Sequence, residues 1–528
     1  MPYVVTQSCC SDASCVYACP VNCIHPTPDE PDFLSAEMLY VDPQACVDCG
    51  ACATACPVDA ITSSKKLTDE QKPFIEINAE FYRQARPRPV LAKPIPAAAV
   101  EPGRGPLRVA IIGSGPSAMY AADELLTQPD VSVTVFDRLP VPYGLARHGV
   151  APDHTRTRQV SRLFDTIAAQ PGFGSYLNVA VGEHVSHDEL LRHFHAVVYA
   201  VGASADRKLG VPGEGLPGNV SATEFVAWYN GHPDHAGREF DLSQRRAVIV
   251  GNGNVALDVA RILTVDPETL SGTDVSPAAL EALRHSKIEE VVVVGRRGPA
   301  ESAFTVPEFV GLLGSDVDIV VEGEVPEAIP GMSQKVEQKL RLLRGVADRP
   351  VGARKCIVFR YLSSPTAVLG TDRVAGIELE RNELRTTEDG TMRAVGTGVV
   401  ETLDAGLVLT SVGYRGVALP GLPFDERADV IPNEQGRVLD APGGAVFPAT
   451  YVTGWIKRGP TGFIGTNKSC AQETIRQLVD DFNSGRLAEP AAGAAEFDRL
   501  IAARRPAVIR GGATAGRSWW KRKVLARA

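Results

Sequence analysis

Short runs of apolar, mostly β-branched residues recur along the chain from position 107 onward. Clear examples are Val109–Ile112, Val131–Phe136, Ala247–Val250 and Val291–Val294, and patterns of helical period lie between them. Runs of this length without polar alternation are typical of parallel strands buried on both faces. A strand, a glycine-rich turn and a helix occur together twice at large separation. The pattern therefore predicts an α/β fold built on two parallel sheets.

The first part of the chain has a different character. Residues 1–80 are rich in cysteine, and residues 83–106 carry six prolines and almost no periodicity. Such a proline-rich stretch is expected to form a semi-rigid linker. We therefore predict a cysteine-rich domain over residues 1–80, a linker over 81–106 and the α/β region after it. The length of 528 residues also indicates several domains.

Charge is distributed unevenly along the chain. Residues 1–80 hold three Lys/Arg and twelve Asp/Glu, a formal net charge of −9 that equals that of the whole chain. The segment from Arg504 to the end holds eight basic residues and no acidic one, with Trp519 and Trp520 among them. This segment is interpreted either as a solvated end or as an arm that docks an acidic partner.

The sequence has no feature of a membrane or exported protein. No stretch reaches the roughly 18 unbroken apolar residues of a membrane span. The first ten residues have neither the basic start nor the apolar core of a signal peptide. We therefore expect a cytoplasmic protein that neither crosses a membrane nor binds nucleic acid.

Nine of the eleven cysteines lie within the first 56 residues. In an exported chain this crowding would indicate disulfides, but a reducing compartment favours metal ligation. The run from Cys46 to Pro57 has C-x2-C-x2-C-x3-C-P spacing, in which the first three cysteines wrap one iron-sulfur cluster and the fourth reaches a neighbouring cluster. By the same crossover, the cysteine before Pro20 joins the first three. One [4Fe-4S] cluster is therefore predicted on Cys19, Cys46, Cys49 and Cys52.

A second cluster is predicted on Cys9, Cys15 and Cys56. Asp12 stands where a C-x2-C start would have its second cysteine, and three thiolates suit a [3Fe-4S] cluster. Cys10 or a non-cysteine ligand would instead complete a second [4Fe-4S] cluster. A zinc site is a further alternative that fits this order of cysteines less well. Residues 1–80, with their two Cys-Pro pairs, resemble the seven-iron and eight-iron bacterial ferredoxins, which implies a small α+β domain.

The first glycine-rich turn is a G-x-G-x-x-A motif that directly follows a predicted strand. Its first glycine permits a tight turn, its second lets the backbone approach a pyrophosphate, and its alanine lets the helix pack close to the strand. The next strand ends at Asp137, which is suited to the two hydroxyls of a ribose and not to a 2′-phosphate. This turn is predicted to hold FAD or NAD, with contacts at Gly113, Gly115, Ser117, Ala118 and Asp137.

The second glycine-rich turn starts at Gly251 and contains Gly253, Asn254 and Val255. The strand that follows it ends before Arg296 and Arg297, where the first module has an acid. Arginine is a natural forked partner for a 2′-phosphate. The second turn is therefore predicted to select NADP(H), with a simple surface cap as the alternative role of the two arginines.

Four segments, residues 141–154, 251–261, 294–299 and 454–462, resemble the adrenodoxin reductase type of ferredoxin–NADP reductase. The resemblance spans about residues 107–490 and implies two Rossmann-like domains. An NADP-binding domain of 205–412 would be inserted into an FAD-binding domain of 107–204 and 413–528. FAD contacts are implied at Leu145, Val185, Trp455, Gly462, Phe463 and Ile464. NADP(H) contacts are implied at Asn254, Val255, Glu308 and Gly462, besides Gly251, Gly253, Arg296 and Arg297.

The chain thus has two nucleotide-binding modules, one with an acid after its second strand and one with two arginines there. This combination indicates hydride transfer from NADPH to FAD, followed by single-electron transfer to the clusters. His154 and Glu308 are candidates for orienting the nicotinamide or supplying a proton. The expected electron partner is the chain's own ferredoxin domain, with an external ferredoxin or a haem monooxygenase as further candidates. Two alternatives are a pyridine-nucleotide disulfide reductase, which needs a cysteine pair near the flavin, and a redox sensor without rapid turnover.

Overall fold

The computed structural model describes residues 2–84, 91–93, 95–327, 332–347, 352, 355–387 and 391–512. The predicted linker is therefore described only in part. Trp519 and Trp520 of the predicted basic arm lie outside the described residues.

The cysteine-rich segment folds into short elements joined by loops. They are β1 (Tyr3–Val5), α1 (Ser14–Ala18), β2 (Ile24–His25), β3 (Tyr40–Val41), α2 (Ala51–Ala55), β4 (Ile61–Ser63) and α3 (Pro73–Phe81). Strand β1 pairs with β4, and β2 pairs with β3, both antiparallel. The buried Asn78 side chain on α3 accepts from the main-chain N–H groups of Val5 and Val41, which fastens this helix to both ribbons.

The next elements alternate between strand and helix. They are β5 (Leu107–Ile112), α4 (Pro116–Leu126), β6 (Val131–Asp137), α5 (Leu145–His148), α6 (Thr155–Arg158), α7 (Val160–Ala168), β7 (Phe173–Leu177), α8 (His187–Leu191) and β8 (Ala196–Tyr199).

A second alternating unit follows. Its elements are β9 (Ala205–Asp206), β10 (Asn219–Ser221), α9 (Ala222–Tyr229), β11 (Arg246–Val250), α10 (Asn254–Thr264), α11 (Pro277–Arg284), β12 (Glu290–Val294), α12 (Val306–Leu313), β13 (Asp318–Glu322), α13 (Gln334–Ala347), β14 (Cys356–Arg360), β15 (Ser363–Gly370), β16 (Val374–Thr386), β17 (Met392–Asp404) and β18 (Leu407–Thr410).

The chain then returns to the first unit. The remaining elements are β19 (Tyr414–Arg415), β20 (Asn433–Glu434), β21 (Arg437–Leu439), β22 (Val446–Val452), α14 (Trp455–Arg458), α15 (Thr466–Asn483), α16 (Ala494–Arg504) and β23 (Ile509–Gly512).

The first large sheet has the order β20-β21-β22-β8-β5-β6-β7-β23. Its five central strands, β22 to β7, are parallel, and antiparallel strands close both edges. Alternate residues of β5 enter different cores, with Val109 and Ile111 on one face and Ala110 and Ile112 on the other. A continuous apolar run is therefore required here, because both faces of the sheet are covered.

The second large sheet is parallel throughout, in the order β10-β18-β11-β12-β14-β13. In each large sheet the strand that leads into a glycine-rich turn lies centrally. The next strand of the chain pairs with it on one side, β6 beside β5 and β12 beside β11, and a later strand pairs with it on the other side. Nucleotides bind in the crevice at such a switch point, beyond the carboxyl ends of the strands. A three-stranded antiparallel sheet, β15-β16-β17, extends from this second unit.

The chain passes between the two large sheets along a two-stranded ribbon. Strands β9 and β19 pair antiparallel, with Ala205 opposite Arg415 and Asp206 opposite Tyr414. The predicted limits of the inserted domain, residues 205 and 412, lie in or beside this ribbon.

The described start of the predicted basic arm is fastened to the first unit. Arg504 forms an ion pair with Glu189, and Arg505 donates to Asn178. Strand β23 then pairs with β7 at the edge of the first sheet. The arm predicted to begin at Arg504 is thus anchored at least as far as residue 512.

Candidate active site at a cleft walled by three units

The first glycine-rich turn has the geometry of an anion site. Gly113 has φ +101°, and a Cβ atom there would lie 2.5 Å from the carbonyl oxygen of Ala200, so only glycine fits. Gly115 is extended, and an added Cβ would meet no atom within 4 Å. Its bare backbone therefore faces open space at the start of α4, where unpaired N–H groups favour a phosphate.

The second glycine-rich turn repeats this geometry. Gly251 has φ +114°, and an added Cβ would overlap the carbonyl oxygen of Ser411. Gly253 is extended with no atom within 4 Å of an added Cβ, and α10 begins at the next residue. Both turns therefore offer a pyrophosphate the same bare backbone at a helix N-terminus, and the residues present fit two dinucleotides.

The first turn and the first residues of α10, after the second turn, line a cleft of about 710 Å³, whereas Gly251 and Gly253 lie outside its lining. The residues predicted for FAD that line it are Gly113, Gly115, Ser117, Asp137, Leu145, Trp455, Gly462, Phe463 and Ile464. From the residues predicted for NADP(H), Asn254, Val255, Glu308 and Gly462 line it. Ala118 is fully buried beneath the first turn. Val185 is 1% exposed and packs in the core beside Phe136, away from the cleft wall.

Asp137 is held rigidly where β6 ends. One carboxylate oxygen accepts from the main-chain N–H and the hydroxyl of Ser114, and the other accepts from the N–H of Leu139 at 2.9 Å. Burial raises the pKa of Asp137 above its ordinary value. Oδ1, which accepts from the N–H of Leu139, retains a second lone pair, so a ribose hydroxyl fits beside this donor.

Arg296 and Arg297 follow β12 at the same sheet edge as the second turn, and they lie outside the cleft lining. Their main-chain carbonyl oxygens accept from Asn382 and Leu362, which fixes the backbone of both residues. Within the described ranges, neither guanidinium has an ion-pair partner. Both charges are therefore available at the position expected for a 2′-phosphate.

A buried ion network lies in the cleft between the two large sheets. Nε2 of His154 is 3.4 Å from Oε1 of Glu308 and 3.6 Å from Oδ1 of Asp258. Arg261 donates to Asp258 at 2.7 Å, to Nε2 of His154 at 2.9 Å and to Asp153 at 2.7 and 3.0 Å. The structure thus brings together the two residues predicted for catalysis.

The charged groups of this network shift one another's pKa values. Burial raises the pKa of Asp258 to about 6, and the neighbouring Glu308 acts in the same direction. Burial disfavours the charge of Arg261, but Asp258 and Asp153 outweigh this and raise its pKa. The three groups His154, Asp258 and Glu308 would otherwise suit a metal ion, but the guanidinium already supplies the positive charge. Asp258 and Arg261 lie in the segment 251–261, but the sequence assigned them no role, because their pairing with His154 requires the folded cleft.

The four-cysteine site has the form of a cage. Cys19, Cys46, Cys49 and Cys52 surround a small pocket together with Cys23, Gly50 and apolar side chains. The helices α1 and α2 contact each other. Each is followed directly by a cysteine in extended conformation, Cys19 after α1 and Cys56 after α2. This repeated geometry lets each helix send its final cysteine toward the other half of the domain, as the crossover predicts. The donor set fits an iron-sulfur cluster.

The other three cysteines lie close together. Cys9 and Cys56 pack against the core that contains Cys15. Burial raises the pKa of Cys9 to about 11 and raises the pKa of Cys15 and Cys56, so these thiols need a bound cation to ionise. Asp12 accepts from the N–H and hydroxyl of Ser14. Its carboxylate is thus engaged at the start of α1.

Cys10 faces different surroundings from the three clustered cysteines. It packs with Val58, Ala60 and Tyr120 in the core beneath the first glycine-rich turn. Its carbonyl oxygen accepts from the main-chain N–H of Gly465 at 2.7 Å. Gln7, Ser8, Cys9, Cys10 and Glu37 all line the nucleotide cleft. The cysteine-rich domain therefore forms a third wall of the cleft.

Comparison with known proteins is consistent with this arrangement. A family model described as a 4Fe-4S binding domain matches residues 39–62, and one described as a pyridine nucleotide-disulphide oxidoreductase matches residues 107–297. A probable ferredoxin/ferredoxin–NADP reductase from Mycobacterium tuberculosis is 53% identical over 531 residues, which cover 96% of this chain and 89% of the relative. The chain belongs to the ferredoxin–NADP reductase family.

Other relatives match a smaller share of the chain. The NADPH-ferredoxin reductase FprA from Mycobacterium tuberculosis is 46% identical over 422 residues, which cover 76% of this chain and 91% of the relative. A solved structure of FprA in complex with NADPH superposes with a TM-score of 0.71 at 44% identity, over 77% of this chain and 92% of that chain. This ferredoxin–NADP reductase thus joins a ferredoxin domain to a reductase of the FprA type.

Several predictions are thereby confirmed. The chain is an oxidoreductase of the ferredoxin–NADP reductase type, fused to an N-terminal ferredoxin domain, and its α/β fold class is as predicted. FAD, NADP(H) and an iron-sulfur cluster are its cofactor classes. No helix among the described residues is long and apolar enough to span a membrane.

The disulfide reductase alternative finds no support in the cysteines. Cys356 lies on β14 in the second large sheet, whereas Cys470 lies on α15, and both are free. Cys470 accepts from the main-chain N–H of Gly454 at 3.3 Å, so only one of these two cysteines lies near the predicted flavin loop. A disulfide reductase needs two thiols there.

Proposed function

We propose that this ferredoxin–NADP reductase passes electrons internally, from NADPH to FAD and then into its own ferredoxin domain at Cys9, Cys15 and Cys56. Bound FAD supplies the conversion of a hydride, which carries two electrons, into single electrons. The observation that carries the proposal is that Cys9 and Cys10 line the same cleft as the first glycine-rich turn. The protein's task is to hold these groups at a short, fixed distance.

Direct backbone contact supports electron entry at the three-cysteine site. The N–H of Gly465 donates to the carbonyl oxygen of Cys10, and Gly465 directly follows Ile464, which is predicted to lie along the flavin. A methyl group on Gly465 would overlap the backbone of Asp12. Only a glycine allows the two main chains to approach so closely.

The four-cysteine site is suited to electron exit. Cys49 is exposed, and the neighbouring Val47 is 58% exposed. An apolar residue of this exposure beside a cluster ligand offers a contact surface to an external acceptor. An external ferredoxin or a haem monooxygenase is the proposed partner class, and the acidic ferredoxin domain favours an acceptor with a basic face.

We assign a [4Fe-4S] cluster to Cys19, Cys46, Cys49 and Cys52, and a [3Fe-4S] cluster to Cys9, Cys15 and Cys56. The second assignment rests on Asp12 and Cys10. Asp12 is engaged by Ser14, and Cys10 packs in the neighbouring core. Recruitment of either residue would make the second cluster [4Fe-4S]. A cytoplasmic location also remains part of the proposal, because a reducing compartment leaves thiols free for iron.

We assign FAD to the first turn and NADP(H) to the second. Asp137 would bind the ribose of FAD, and Arg296 and Arg297 would bind the 2′-phosphate of NADP(H). Glu308 and His154 would orient the nicotinamide. The carboxylates of this network place negative charge where positive charge develops as NADPH gives up its hydride, which would favour the reaction electrostatically.

Cysteine variants test the proposed path. Cys15→Ser should leave bleaching of the flavin by NADPH intact while reduction of the four-cysteine cluster is lost. Cys49→Ser should leave reduction of the three-cysteine cluster intact while reduction of cytochrome c, used as a one-electron acceptor, falls. Cys356→Ser is the matched control and should behave as the wild type. Equal cluster reduction in the wild type and Cys15→Ser would contradict entry at this site, and flavin absorbance would report correct folding.

A further inference from the structure

The ferredoxin domain forms part of the wall of the predicted nicotinamide pocket. Gln7, Ser8 and Glu37 line the cleft together with Thr305 and Glu308 of the NADP-binding unit. The predicted nicotinamide pocket of this chain is thus formed partly by its ferredoxin domain.

Gln7 contacts Glu308 through the space beside Gly311, which has no side chain. The side-chain amide of Gln7 lies 3.5 Å from Oε1 of Glu308, at the long limit of a hydrogen bond. Gly311 lies on the same helix, α12, and a Cβ atom there would overlap the Gln7 amide. Gln7 therefore occupies the space where any other residue at position 311 would project a side chain.

Glu37 fixes the start of this helix from the same side. Its side chain is 8% exposed, and one carboxylate oxygen accepts from the N–H of Val306 at 2.6 Å. The other oxygen pairs with the buried Lys339 at 3.2 Å, and Lys339 in turn donates to the carbonyl oxygen of Ser302. Glu37 thus holds the backbone at the start of α12, and Gln7 contacts the carboxylate of Glu308 on the same helix.

We propose that Gln7 is a positioning residue for the NADPH reaction, holding the Glu308 carboxylate in place so that the ferredoxin domain completes the nicotinamide pocket. The proposal rests on the assignment of NADP(H) to this half of the cleft. Glu308 has three donors or partners at similar range: Gln7 at 3.5 Å, His154 at 3.4 Å and Arg261 at 3.3 Å. Loss of the Gln7 amide leaves His154 and Arg261 as the remaining partners in this set for the Glu308 carboxylate.

Two single variants and their combination test this contact. Gln7→Met keeps the length of the side chain and removes its amide, whereas Gly311→Ala keeps the amide and displaces it. Gly311→Ala should also favour helix α12, so that unfolding would not explain a loss of activity. Gln84→Met, at an exposed position just after the ferredoxin domain, is the matched control.

The measurement is the rate at which NADPH bleaches the flavin in anaerobic stopped flow, as a function of NADPH concentration. Each single variant should lower the limiting rate about fivefold, the equivalent of one modest hydrogen bond. The double variant should fall no further than either single variant. The NADPH concentration that gives half the limiting rate should stay nearly unchanged, because Gln7 positions a carboxylate in the nicotinamide pocket and does not bind the 2′-phosphate.

The other groups that face Glu308 are His154, Asp258 and Arg261. An unchanged limiting rate in Gln7→Met would overturn the proposal, as would additive losses in the double variant. Flavin bleaching does not depend on the clusters. If the wild type bleaches its flavin but leaves its clusters oxidised, the internal path fails while the role of Gln7 is still decided.

Discussion

The main-chain N–H of Gly465 donates to the carbonyl oxygen of Cys10 across 2.7 Å, which joins the predicted flavin loop to the ferredoxin domain. Because a methyl group at position 465 would overlap the backbone of Asp12, this contact requires glycine. The two redox halves of the chain therefore meet main chain to main chain. The relationship makes the ferredoxin domain a fixed part of the reductase.

Gly465→Ala should separate the two halves. Overpacking at this contact should cost about 1–3 kcal/mol of docking energy. Flavin bleaching by NADPH should keep most of its rate, while the subsequent reduction of the clusters slows. Stopped-flow absorbance at flavin and cluster wavelengths distinguishes the two steps. Gly237→Ala, where an added Cβ meets no atom within 4 Å, is the control. Equal cluster reduction in Gly465→Ala would show that this contact does not set the distance.

Arg296 and Arg297 should determine the choice of nucleotide. Replacing either with alanine should raise KM for NADPH about tenfold or more, the cost of a charge-assisted hydrogen bond, and leave KM for NADH nearly unchanged. Arg245→Ala, before the amino end of β11, is the matched control because it lies at the opposite end of the same sheet. Steady-state kinetics with both nucleotides measure the effect. A parallel rise in both KM values would mean that the arginines do not read the 2′-phosphate.

Asp258 should give the hydride step a pH dependence. Its ordinary pKa of 3.8 is raised to about 6 by burial and by Glu308. Because the folded value is the higher one, its contribution to stability is present below pH 3.8 and is lost as pH rises through about 6. Above that value the carboxylate is ionised and favours the positive charge of the oxidised nicotinamide, so the rate should rise with pH.

Asp258→Asn should abolish this rise and hold the rate near the acid limit. Limiting rates of flavin bleaching, measured across the neutral range, provide the test. The titration of Asp258 is coupled to the charge of the neighbouring Glu308, which helps to raise its pKa. A profile that keeps the same midpoint in Asp258→Asn would assign the titration to another group.

The ion pair between Glu80 and Arg341 should stabilise docking of the ferredoxin domain on helix α13. Arg341 donates to both carboxylate oxygens, at 2.7 and 2.9 Å, and the Glu80 side chain is 1% exposed. Because Arg341 itself is half-exposed, we expect Arg341→Ala to cost only about 1–3 kcal/mol. Faster hydrogen exchange in α3 would register the loss, and the exposed Arg393→Ala should leave exchange unchanged. No difference between these variants would exclude the pair as a docking contact.

Local features of the site could be predicted from the sequence. The tight turns at Gly113 and Gly251 require positive φ, and a G-x-G pattern after an apolar run reports this requirement directly. The spacing of Cys46, Cys49 and Cys52 likewise reflects a loop that wraps one cluster. Each of these features depends on neighbours within a few residues, so no knowledge of the remaining fold was needed.

The contacts between domains could not be predicted in the same way. Gln7 and Glu308 are 301 residues apart in the chain, and their meeting depends on how the ferredoxin domain lies on α12. Arg261 was part of a recognised motif, but its bonds to Asp153 and His154 form only when the two large sheets face each other. Contacts between polar groups that are far apart in the chain produce no periodic pattern in a single sequence.

The central claim, internal electron transfer, is tested most directly by mixing the intact protein with NADPH under anaerobic conditions. Stopped-flow absorbance follows the flavin, and freeze-quench electron paramagnetic resonance follows the clusters in the same reaction. We predict that the flavin bleaches first and that the three-cysteine cluster is reduced next, at a rate independent of protein concentration. A flavin that bleaches while both clusters stay oxidised, or cluster reduction that accelerates with protein concentration, would contradict the account.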